Sequence, residues 1–122
     1  MPNPCKEVEI NGNKYVLASE LKPAETLDGM EYSIIRTYSA GAWAGYVKSR
    51  VGKEIVLCNA RRLWYWDGAA SLSQMAVDGT SKPNKCKFPC EVSHITLTEC
   101  IEIIPATEKA KKSIAGVSIW TA

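Results

Sequence analysis

Between residues 31 and 66, four segments rich in β-branched and aromatic residues follow one another with only short breaks, and this crowding limits the possible folds most. The segments are 31–38 (EYSIIRTY), 42–48 (AWAGYVK), 54–58 (EIVLC) and 61–66 (RRLWYW). Ser39-Ala40-Gly41, Val51-Gly52-Lys53 and Asn59-Ala60 separate them. A parallel neighbour needs a crossover of a dozen or more residues, whereas short breaks of small and polar residues join antiparallel strands. The stretch therefore predicts an antiparallel meander.

The flanks add smaller elements. Apolar runs around Asn11-Gly12-Asn13 predict an N-terminal hairpin, and the polar residues 20–30 a loop. After residue 66 the apolar period changes from two to that of a helix. Leu72, Met75 and Ala76 recur at helical spacing, Asp67 suits the N-cap and Gly79 the stop, which predicts a helix over 69–78. A lysine- and proline-containing loop over 80–89 precedes strands at 92–97 and 99–104. Thr107 caps a second predicted helix that Gly116 ends, and residues 117–120 read as a last strand. The expected architecture is α+β: a single domain over 1–122, with a small curved antiparallel sheet or open barrel and two short helices.

A chain of 122 residues with a net charge of only +2 lacks the strongly basic balance of a protein that coats DNA or RNA, so no nucleic-acid polymer is expected as partner. One histidine, His94, excludes a multi-histidine metal centre. Cys86, Cys90, His94 and Cys100 are spaced too loosely for a usual structural zinc site, and no metal or cofactor is expected. Five cysteines behind an N-terminus without an apolar leader read as reduced thiols in a cytoplasm, and no run is long enough to span a bilayer.

The unusual feature is aromatic: four Trp and five Tyr against one Phe. Strand alternation places Arg62, Trp64 and Trp66 on one face, a combination that stacks a planar base and pairs its phosphate. The bland alternative makes both indoles core, with Arg62 at the rim. Arg36, Tyr38, Ser39 and Trp43 surround small residues whose amides can approach a phosphate, or else form an ordinary turn before a core Trp. Lys87 and Phe88 lie in a loop able to close on a nucleotide, unless Phe88 anchors that loop in the core. Lys109 and Lys112 share one face of the last helix, where lysines most often serve only solvation.

The runs at 36–45 (RTYSAGAWAG) and 60–76 (ARRLWYWDGAASLSQMA), with Cys86-Lys87-Phe88 and the segment 101–105 (IEIIP), resemble a family of small phage proteins, the Thoeris anti-defence sponges. The resemblance spans residues 32–120. It implies a non-enzymatic protein in the host cytoplasm that sequesters cyclic ADP-ribose isomers made by bacterial TIR-domain enzymes. It also implies a homo-oligomer with pockets at or near subunit interfaces and, in some members, a separate site for cyclic oligonucleotides. The matching ligand residues would be the Arg36–Trp43 motif, Arg62 with the tryptophans, and Lys87-Phe88; the phosphate-binding role of basic residues on the family's last helix could fall here only to Lys109, Lys111 or Lys112, where no arginine stands. Two alternatives stay open: a small nucleotide-degrading enzyme, and a structural or protein-interaction domain.

Overall fold

The computed structural model describes residues 22–121, together with the backbone of two strands before them. Those strands, β1 (Glu7–Ile10) and β2 (Asn13–Val16), pair antiparallel with Ile10 opposite Asn13; the predicted turn residues Asn11 and Gly12 lie outside the described residues.

The main sheet is antiparallel and five-stranded: β3 (Tyr32–Thr37), β4 (Ala42–Val51), β5 (Glu54–Leu63), β6 (Val92–Leu97) and β7 (Cys100–Pro105), in the spatial order β6-β5-β4-β3-β7. The α+β expectation holds. Although β6 and β7 follow each other almost directly in sequence, they form opposite edges of the sheet. Leu97 pairs with Ile55 on β5, and Cys100 with Thr37 on β3. Two residues span that gap only because the sheet coils. The Cys100 amide donates to the Lys53 carbonyl (2.9 Å) and the Tyr38 amide to the Glu99 carbonyl (3.0 Å), which draws the edges together at one end. The sheet stays open.

Coiling gives the sheet two separate cores. Ile35, Trp43, Ile55, Leu57, Leu97 and Cys100 form one, to which all five strands contribute. On the other face Ile34, Ala44, Leu63 and Phe88 pack under helices α1 (Leu72–Asp78) and α2 (Glu108–Ala115) through Met75, Ala76, Ala110 and Ile114. Consecutive apolar residues such as Ile34-Ile35 and Trp43-Ala44 supply both, because neighbours on a strand point to opposite faces.

The Asn59-Ala60 break does not separate two strands. It is a β-bulge within one continuous strand, where Asn59 adopts φ 49° and two residues stand opposite Gly45. A bulge shifts side-chain alternation by one. Ile55 and Leu57 face the first core, yet beyond the bulge Arg61 and Leu63 face the helices while Arg62 lies over Trp43.

Two further expectations are corrected. Helix α1 begins later than predicted, because Ser71 rather than Asp67 caps it by accepting from the Gln74 amide (3.2 Å). The Asp67 carboxylate instead accepts from the adjacent Gly68 amide (2.7 Å). Residues 117–120 do not form a strand; the segment is tied down by a bridge between Phe88 and Ile119. Thr107 and Gly116 bound α2 as expected. Among the described residues no helix is long and apolar enough to cross a membrane.

Candidate nucleotide-binding surface

Strand β5 ends at Leu63, so Trp64, Tyr65 and Trp66 leave the sheet and diverge. Trp66 turns back against the helix-side core, whereas Trp64 is 63% and Tyr65 51% exposed. The expectation that Arg62, Trp64 and Trp66 share one strand face fails for Trp66, because the alternation stops with the strand. Tyr65 forms an isolated bridge with Lys87, each amide donating to the other's carbonyl (2.7 and 3.2 Å). That bridge brings the 80–89 loop beside the tryptophans.

The C-terminal segment completes the cluster. The Trp120 amide donates to the Phe88 carbonyl (3.0 Å), and this hydrogen bond places the Trp120 indole parallel to that of Trp64, with 5° between planes and 6.5 Å between centroids. Lys87 Nζ lies 5.6 Å from the Trp120 ring and 5.8 Å from the Tyr65 ring, within reach of a cation–π attraction to both. Trp120 and Tyr65 belong to this cluster although neither is singled out from the sequence, where residues 117–120 read as a last strand.

On the other side of Trp64, Ser39, Arg62 and Trp64 border a cavity of about 240 Å³. The Arg62 guanidinium sits 4.2 Å over the Trp43 ring and donates through Nη1 to the Ala40 carbonyl (2.7 Å). Trp43 Nε1 donates to the same oxygen (3.1 Å), so Trp43 is a buried platform that aims Arg62. Of the five N–H donors a guanidinium carries, one is committed there.

The other singled-out residues fall elsewhere. Arg36 lies on the helix-covered face, paired with Glu102 (3.5 Å), so it does not join Arg62. The Ser39 hydroxyl donates to Glu99, and the Ala40 amide to Thr37 Oγ1 (2.8 Å). The Tyr38 and Ala40 amides and the Ser39 hydroxyl are thus already hydrogen-bonded, and an acid stands beside them. Tyr38 is 79% exposed. Phe88 is fully buried and anchors its loop, as the bland alternative had it. Lys109 pairs with Asp78 (3.5 Å), while Lys112 is exposed on α2.

The chain thus pairs a coiled open sheet with an exposed aromatic–cationic surface. Residues 30–114 match the model of DUF6948, a domain of unknown function, and the chain belongs to that family. No curated protein and no solved structure matches it.

Proposed function

We propose that this protein binds, without cleaving them, small nucleotides of the cyclic ADP-ribose type, and so withholds a TIR-derived signal from a Thoeris defence effector in the cytoplasm of a phage-infected bacterium. The observation that carries this reading is the parallel, exposed Trp64–Trp120 pair beside Lys87. The indole planes are 5° from parallel with centroids 6.5 Å apart, the separation of an offset ring pair, so a base can stack on an exposed face of this platform. Stacking on an aromatic contributes about 1–3 kcal/mol per base, and Lys87 and Arg62 supply charge for the phosphates.

Competing with a sensor demands nanomolar binding, about 12 kcal/mol, which requires a largely buried ligand. Trp64 and Tyr65 are more than half exposed in a single chain. A second copy that covers the open side meets the requirement, which supports the homo-oligomeric reading. Protein loaded with a cyclic ADP-ribose isomer, freed of excess ligand and then heat-denatured provides the test. Mass spectrometry of intact nucleotide at one per site supports sequestration. Degraded product favours the enzyme reading, and no nucleotide favours a protein-interaction domain.

A further inference from the structure

A larger cavity, about 390 Å³, opens on the helix-covered side, where Ile119 separates it from the surface beside Trp120. Its polar lining comes from Tyr32, Tyr46, Asn59, Arg61, Glu91 and Lys111. The bulge at Asn59 turns Arg61 to this face, where the residue is 7% exposed. Its guanidinium is held by main-chain oxygens: Nε donates to Pro89 (3.0 Å), Nη1 to Ile114 (2.8 Å), and Nη2 to Phe88 (3.0 Å) and Val117 (2.7 Å). These four bonds leave one Nη1–H free of the five donors. Carbonyl dipoles orient the cation without neutralising it.

From α2, Lys111 reaches over the Tyr46 ring (Nζ 5.5 Å from the centroid) and its ammonium is stabilised by the Tyr46 hydroxyl. Glu91 is the acid in the lining, so two cations face one carboxylate and the wall carries a net positive charge. Tyr32 and Tyr46 meet edge to face at 5.2 Å, and Ile114, Val117 and Ile119 complete an apolar side. The volume lies toward the low end of ligand pockets, about 300–1,000 Å³.

We infer that this cavity is a second binding site, for a small aromatic anion whose ring lies against Tyr32, Tyr46 and Ile119 and whose charged group sits between Lys111 and the free Arg61 N–H. This cavity is distinct from the stacking surface, and neither Lys87 nor Arg62 lines it.

The test is an amide NMR titration of the full chain with benzoate, phenyl phosphate and the neutral isostere benzyl alcohol. Saturable shifts at Asn59, Tyr46 and residues 114–117 with either anion, and binding of the alcohol at least about tenfold weaker, support the site. The anion that binds better defines the preferred head group. Lys111→Gln, at a half-buried position, is expected to fold and to weaken anion binding by about tenfold, with Lys111→Arg within about threefold of the parent. A Trp64→Ala/Trp120→Ala double variant is expected to leave these shifts unchanged while abolishing nucleotide stacking. Absence of saturable shifts, equal binding of the alcohol, an unaffected Lys111→Gln, an equal loss in Lys111→Arg, or loss of the shifts in the tryptophan variant would each overturn the inference.

Discussion

The indoles of Trp64 and Trp120, 56 positions apart in sequence, lie parallel at 6.5 Å because two backbone contacts to the same loop hold them there. Tyr65 bridges Lys87, and the Trp120 amide donates to the adjacent Phe88. The buried Phe88 ring fixes that loop in the core, so a mobile-looking segment becomes a rigid mount for two exposed rings.

Truncating these rings should cost affinity rather than stability. Trp64→Ala is expected to weaken nucleotide binding roughly tenfold to a hundredfold, the loss of one stacking contact of about 1–3 kcal/mol. The midpoint of thermal unfolding should move little, because Trp64 is 63% exposed. Calorimetry and thermal melts of the same samples separate the two effects.

Arg61 should behave in the opposite way. Arg61→Met removes the donors of four carbonyl bonds that join β5 to the 88–89 segment and the end of α2, and is expected to destabilise by about 3–5 kcal/mol in urea unfolding. Arg61→Lys retains the charge but not the planar fork, so an intermediate loss of about 2 kcal/mol is expected.

Two glycines with nearly the same positive φ should respond differently to alanine. Gly68 (φ 82°) would place a Cβ 2.5 Å from the Lys82 nitrogen, whereas at Gly29 (φ 81°) nothing lies within 4 Å. Gly29→Ala is expected to cost about 1 kcal/mol of backbone strain. Gly68→Ala adds a backbone clash and should cost about 2–4 kcal/mol by the same unfolding measurement.

Acid should loosen the strap formed by residues 22–25. The Glu108 carboxylate accepts from the Glu25 amide (2.7 Å), and that hydrogen bond holds its pKa below the usual carboxylate range. A lowered folded-state pKa stabilises above the unfolded value and loses its effect as pH falls through the folded one. Amide exchange at Ala24 and Glu25 should therefore accelerate specifically on acidification below the usual carboxylate range, beyond the intrinsic pH trend. In Glu108→Gln that specific acceleration should vanish.

Much of this fold is legible where one residue makes a local decision. Thr107 and Gly116 bound α2 because a hydroxyl cap and a terminal glycine act within one turn. The Asn59-Ala60 break is also real, yet local sequence does not say whether a break is a turn or a bulge; the pairing of Tyr46 with Cys58 and Ala44 with Arg61 decides it. Trp64 and Arg62 stand out in the sequence as candidates because their chemistry is unusual side by side. Trp120 does not, since its role depends on a loop about thirty positions away. Arg61 reads as the less interesting of two neighbouring arginines, because a charged residue is rarely buried and nothing local announces the four carbonyls that hold it.

Titrating a purified cyclic ADP-ribose isomer into the 122-residue chain by calorimetry, with Trp64→Ala/Trp120→Ala as the matched control, decides whether the paired indoles hold a nucleotide. The expected result is saturable binding near nanomolar Kd in the parent, a loss of at least a hundredfold in the double variant, and recovery of intact nucleotide from the complex. No heat of binding in the parent, or equal affinity in the double variant, would contradict it.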